Sequence, residues 1–179
     1  MDEATDQARF TEVFVPYLVD AFRLARWLAG SRADAEDIVQ EALMRAFKNI
    51  RGFSGGNPRA WVLTIVHNTS YSWLAKNRPK DVVFSDDLDQ HHREQIEQAA
   101  TDQMQTPETA LIAKLEAEQV RKAIAALPAP FREILVLREI HDLDYRTIAE
   151  VAALPIGTVM SRLARARRLL AATIATGIP

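Results

Sequence analysis

A chain of 179 residues fits one ordinary domain or two small ones, and with 48% apolar and 26% charged residues it can bury a core. The absence of cysteine excludes disulfides and thiolate metal sites; no apolar run approaches the roughly 20 residues of a membrane span, and the acidic N-terminus is no signal peptide, so a cytoplasmic protein is expected. A net charge of −2 would argue against a nucleic-acid partner if evenly spread, but every charge from Arg45 to Lys80 is positive, acids dominate from Asp81 to Glu118, and no acid follows Glu150.

In chain order, Phe10, Val13, Phe14, Tyr17, Leu18, Ala21, Ala25 and Leu28 trace one helical face, which Pro16 should kink or split. Gly30 suits a helix C-terminus, and Ser31 with Asp34 resembles a capping box opening the next helix. That helix has the cleanest periodicity, with Ala35, Ile38, Val39, Ala42, Leu43, Ala46, Phe47 and Ile50 inward and Asp34, Asp37, Gln40, Glu41 and Arg45 outward. Acids before bases suit the helix dipole, so on spacing alone the outward side is an ordinary surface.

A glycine-rich loop, Arg51 to Pro58, ends in an N-cap (Asn57) and a first-turn proline. No Gly-Lys-Ser/Thr follows, so it is not a P-loop. The next helix sets Trp61, Asn68, Tyr71 and Trp73 among Arg59, Lys76 and Arg78. Rings interleaved with bases suit single-stranded DNA, because flat rings stack on unpaired bases while cations hold the backbone. Core packing explains Trp61 and Trp73 equally well; Asn68 and Tyr71 are harder to explain as core.

Pro79 to Thr106 lacks apolar periodicity and reads as a flexible acidic connector. His91 and His92 are adjacent, do not share a helix face, and read as a solvated pair, not metal ligands. Thr106-Pro107-Glu108 opens a helix with Leu111, Leu115 and Ile124 as core, Leu127-Pro128 punctuates it, and a short helix carries Phe131, Ile134 and Leu135. Asp144 then caps a helix bearing Tyr145, Ile148, Ala149 and Ala152; the chain breaks at Leu154 to Gly157, and a second helix is expected from about Thr158. Its inner side is Val159, Leu163, Ala166 and Leu170, and its outer side carries Ser161, Arg162, Arg165 and Arg168, with Arg167 nearby. This is the pattern of a DNA-binding helix-turn-helix, where arginine forks match guanine edges and phosphates.

The order Asp34-Ala35-Glu36-Asp37-Ile38-Val39-Gln40-Glu41, Trp61 through Asn68-Thr69, Leu127-Pro128 with Arg132, Leu137-Arg138-Glu139, Tyr145, Ile148-Ala149-Glu150, and Gly157 to Arg162 with Arg165-Ala166-Arg167 resembles the extracytoplasmic-function (ECF) sigma factors of the sigma-70 family. The resemblance implies an all-α fold of two small helical domains joined by a flexible linker: region two at residues 8–78, the linker at 79–106 and region four at 107–174.

It further implies a non-catalytic subunit of bacterial RNA polymerase that needs no cofactor or metal and directs initiation at promoters with −10 and −35 elements. Asp34, Asp37, Gln40, Glu41 and Arg45 would dock on the beta-prime clamp helices of core RNA polymerase, whose beta flap is a further expected contact. Phe53, Ser54, Asn57, Arg59, Trp61, Asn68, Tyr71, Lys76 and Arg78 would hold the melted −10 strand, whose flipped base costs a few kcal/mol to extrude. Arg138, Tyr145, Thr158, Met160, Ser161, Arg162, Ala164, Arg165 and Arg168 would meet the −35 duplex, Arg138 on phosphate. An anti-sigma factor is the expected controlling partner, holding a protein that does not itself insert in the membrane. Met160 and Ala164 depart from the residues many relatives carry there, so the −35 base preference does not transfer. Two other readings remain open: a helix-turn-helix regulator acting alone, and a sigma-like decoy for an anti-sigma factor.

Overall fold

The computed structural model describes residues 3–77 and 107–176, and every regular element among them is helical. The connector, Arg78 and the His91-His92 pair lie outside the described residues. The first bundle comprises α1 (Glu3–Phe14), α2 (Leu18–Ala29), α3 (Arg32–Asn49) and α4 (Pro58–Asn77). Pro16 does split the first helical run: a 3₁₀ turn, Val15–Tyr17, separates α1 from α2. The split changes the phase of the buried face, so Leu18, expected in the core, stands 39% exposed while Leu24 is fully buried.

Gly30 ends α2 in the left-handed conformation at φ 78°, and the Ser31 hydroxyl caps α3 by accepting from the Asp34 amide at 3.1 Å. The buried side of α3 is as the periodicity predicts at Ala35, Ile38, Val39, Ala42 and Ala46. Phe47 remains partly exposed and packs edge-on against Phe10. A 3₁₀ turn, Ile50–Gly52, leads to the loop before α4, where Gly55 and Gly56 take φ of 97° and 95°, values that a side chain would strain. The Asn57 side chain closes the loop by accepting from the Ala60 amide at 3.1 Å.

The second bundle comprises α5 (Pro107–Ala126), α6 (Ala129–Leu135) running on into a π-helical turn (Val136–Ile140), α7 (Tyr145–Ala152) and α8 (Ile156–Ala175). Among the described side chains of α5, those from Leu115 on, burial begins at Arg121, so Ile124 is buried but Leu115, expected in the core, is 57% exposed. The side chain of Leu111 is not among those described. Asp144 caps α7 through the Thr147 amide at 2.8 Å. Ala153, left-handed at φ 52°, turns the chain, and Pro155 caps α8, which starts at Ile156, two residues earlier than its spacing suggests. Proline needs no amide partner at a helix start, so the proline that breaks the pattern also begins the next helix.

The bundles are not separate bodies. Buried apolar residues of the first (Phe14, Leu24, Ile38, Leu63) and the second (Ile134, Leu137, Ile148, Leu163) form one continuous cluster. The second bundle lies on α2 and α4, with α7 packed along α4. Each fully buried leucine or isoleucine contributes roughly 1.5–3 kcal/mol, so this contact is a substantial part of the folded state.

Candidate nucleic-acid interface

Three surfaces carry the expected site residues. On α3, Asp37, Gln40 and Glu41 project from consecutive turns, and Arg45 pairs with Glu41 one turn below. With Met44 and Lys48 they line a shallow groove completed by Trp73 and Lys76 of α4. Asp34 stands apart, at the capped N-terminus. The groove joins four of the five residues expected to meet polymerase with Lys76, which was expected on DNA. Spacing explains the mixture: Trp73 and Lys76 share a face of α4 different from that of Asn68 and Tyr71.

The second surface is the glycine loop and the start of α4. Phe53 is buried in a small separate core with Val13 and Ile50, its ring 5.2 Å from that of Trp61. Arg9 donates to the Phe53 carbonyl and lies 5.9 Å from its ring centre. Both aromatic candidates therefore support the loop from beneath, while Ser54 and Asn57 face solvent. Arg59 is held by Asp20 of α2 at 2.7 Å. Asn68 is exposed beside His67, with 3.2 Å between its carboxamide oxygen and Nδ1.

Tyr71 is engaged across the seam between the bundles. Its hydroxyl donates to Oε2 of Glu133 at 2.6 Å, while His67 Nε2 lies 2.6 Å from Oε1 of the same carboxylate. Nothing but a donor is stable that close to a carboxylate, so Nε2 carries a proton. Burial, and then the bond to Glu133, raise the Tyr71 phenol above its ordinary range. Further along the seam His141 is fully buried without a hydrogen-bond partner, its Nδ1 3.9 Å from Asp20. Burial, opposed by Asp20 and aided by Arg59 and Arg23, pushes its pKa down to about 4. The sequence reading missed His67, Glu133, Asp20 and His141. The available signal was an acid in the apolar run Phe131 to Leu137 and an imidazole in Leu63 to Val66 and beyond.

The third surface is the helix-turn-helix. Helices α7 and α8 are bent by 102°, within the range of DNA-reading helix pairs. Val159, Leu163 and Ala166 are buried, whereas Met160, Ser161, Ala164, Arg165 and Arg168 form one exposed stripe along α8. Thr158 and Arg162 lie at its half-buried edge. Arg165 sits over the Phe131 ring at 5.6 Å, and Arg167 pairs with Glu139 at 2.7 Å. Arg138 donates to the Leu143 carbonyl at 2.8 Å and lies 5.6 Å from the Tyr145 ring centre, bracing the turn into α7.

A bundle with a grooved amphipathic helix is tied to a helix-turn-helix with an exposed basic stripe, the arrangement of a DNA-binding protein with a second, protein-facing module. The chain matches the Sigma-70 region 2 family over residues 13–80 and the Sigma-70 region 4 family over residues 117–170. The ECF RNA polymerase sigma-E factor of Escherichia coli K12 is 31% identical over 169 residues, covering 92% of this chain and 86% of that one. SigW of Bacillus subtilis is 28% identical over 166 residues, covering 92% and 88%. Among solved structures, RpoE of Bartonella quintana, in complex with the anti-sigma factor NepR, matches at a TM-score of 0.65 and 25% identity over 93% of this chain and 96% of that one. CnrH, in complex with the cytosolic domain of CnrY, matches in fold at 0.64 with 21% identity, covering 97% and 95%. This chain belongs to the ECF sigma factors of the sigma-70 family. It is an alternative sigma factor that binds core RNA polymerase and directs transcription initiation at promoter DNA.

Proposed function

We propose a division of labour among the three surfaces of this sigma factor. The α3–α4 groove, with Asp37, Gln40, Glu41 and Arg45, docks on the polymerase clamp, and Asp34 contributes at its edge. The loop at Ser54 to Asn57, with Asn68, Tyr71 and Arg59, takes the melted −10 strand, while Phe53 and Trp61 hold the loop's shape. The α8 stripe enters the −35 major groove, with Arg138 and Tyr145 fixing the angle of entry. Residues 8–78 act as region two, 79–106 as the connector and 107–174 as region four. The chain catalyses no step itself, works in the cytoplasm, and is held inactive by an anti-sigma factor of the kind bound to RpoE in its solved structure.

The observation that carries this reading is the α8 stripe: five exposed outward positions on a helix that buries Val159, Leu163 and Ala166 on its opposite side, with Leu170 half-buried at its end. A protein reading a duplex needs such a rigid, unobstructed ridge about one groove wide. The first test is docking. Asp37→Ala with Glu41→Ala should leave the helical content unchanged, because both lie on the polar side, and should lower retention of core polymerase. A folded double variant that retains core polymerase as wild type does would remove the groove from the assignment. Incubating holoenzyme with a random-sequence duplex pool should then enrich DNA with two short elements at fixed spacing.

A further inference from the structure

The leading end of α8 carries no charge. From Val151 to Ser161 the chain has neither acid nor base, although much of that stretch is exposed. Two of its exposed residues are large and apolar: Ile156 is 51% exposed and Met160 52%. They stand four residues apart, on one row of the helix that continues to exposed Ala164. Ser161, Arg165 and Arg168 form the neighbouring row, so the apolar row runs beside the basic one. Apolar residues scattered singly over a surface need no explanation. A row of them at the end of a helix that enters a groove does.

The N-terminal residues of a recognition helix are the ones that meet base edges. Each major-groove edge presents hydrogen-bonding atoms, and the C5-methyl of thymine is the one apolar group among them. An apolar side chain pressed on a guanine edge or a cytosine amino group strips water from a donor or acceptor and replaces it with nothing, which is unfavourable. Pressed on a thymine methyl, the same side chain removes apolar surface from water on both partners. The neighbouring hydroxyl does not alter this: Ser161 donates to the Thr158 carbonyl at 3.1 Å and keeps only acceptor capacity toward a base. Residues four apart are separated by about 6 Å along the helix axis, close to two base steps at about 3.4 Å each, so Ile156 and Met160 reach different base pairs.

We propose that Ile156, Met160 and Ala164 form an apolar ridge that reads thymine methyl groups, so that this sigma factor selects A·T pairs in the −35 element beneath the leading end of α8. This rests on the assignment of α8 to the −35 groove. The ridge selects in two ways that need no hydrogen bond. It packs on the methyl of the right base, and it leaves the polar edge of a wrong base without water or partner. The arginines of the adjoining row supply the charge that the ridge lacks.

A thymine methyl can be deleted without touching the protein. Holoenzyme is equilibrated with the duplex enriched from the random pool, and each thymine of its −35 element, on either strand, is replaced in turn by deoxyuridine. Deoxyuridine pairs as thymidine does and lacks only the methyl. At least one replacement should weaken binding about fourfold, the factor that burying one methyl group carries. Met160→Gln and Ile156→Gln both change exposed positions, so their melting temperatures should match wild type. One of them should bring the ratio of thymine to deoxyuridine affinity at that position from about four to about one. An element without an A·T pair, a series in which no replacement weakens binding, or the same ratio in wild type and both variants would each overturn the ridge. Arg165→Ala and Arg168→Ala on the same duplex separate the two ways of failing. If they weaken binding while no methyl matters, α8 still reads the −35 element and the ridge alone falls. If they too are without effect, or holoenzyme enriches no duplex, the assignment of α8 falls and the ridge with it.

Discussion

Helices α4 and α8 are both 20 residues long and both are proposed to face DNA, but they present themselves differently. α8 buries one side and leaves a clean basic stripe on the other. α4 is apolar through its middle, shows exposed Asn68 and Lys76 on different faces, and gives Tyr71 and His67 to an acid from the other bundle. The difference follows from the form of DNA each would meet. A duplex groove is a fixed shape that a rigid ridge can fit without rearrangement. A melted strand exists only after opening, so its reader can be used for something else beforehand.

Acid should break the comparison most strongly. His141 is neutral in the folded protein because its pKa is depressed to about 4, and the groups facing it, Asp20, Arg23 and Arg59, all belong to region two. An exposed histidine binds protons below about 6.5, so the stability due to a neutral His141 is complete above that pH and is lost as pH falls toward 4. The full loss is about 3 kcal/mol. The melting temperature should therefore fall more between pH 7 and pH 5 in wild type than in His141→Leu. An equal fall in both would place the acid sensitivity elsewhere.

Arg165 sharpens the α8 side. If it forks onto a −35 guanine, Arg165→Ala should lose about 1–3 kcal/mol on the enriched duplex and relax the preference at one position. Loss of the same size on every single-base variant of that duplex would make it a phosphate contact. The smallest effect belongs to Arg168, near the end of the stripe. Arg168→Ala should weaken all duplexes alike and flatten the dependence of binding on salt by about one counterion, measured at two ionic strengths.

Much of this molecule is legible along the chain. The α3 periodicity, the caps at Ser31, Asn57 and Asp144, and the proline at position 16 each act within a few residues, and each is where the pattern puts it. The α8 stripe is legible for the same reason: its phase is set by Val159, Leu163 and Ala166 alone. The α4 surface was only half legible. Aromatic and basic residues mark it as unusual, but periodicity does not tell Phe53 and Trp61, which pack beneath the loop, from Asn68 and Tyr71, which do not. The seam is a contact between residues more than 60 positions apart, and nothing local to Glu133 names His67 as its partner. Leu18 and Leu115 fail for a related reason, since exposure depends on what covers a face and not on the face itself.

The elbow between α7 and α8 is built on alanine, not glycine, at its left-handed position. A methyl group there costs about 1 kcal/mol and narrows the range of backbone angles the joint can visit. At 1.5 Å per residue α8 is a lever roughly 30 Å long. A 30° swing at its base would carry the far end about 15 Å, more than the roughly 12 Å width of the major groove. A joint that resists such play keeps Met160 and Arg168 on one line of contact, so that what the near end of the helix meets fixes where the far end lands.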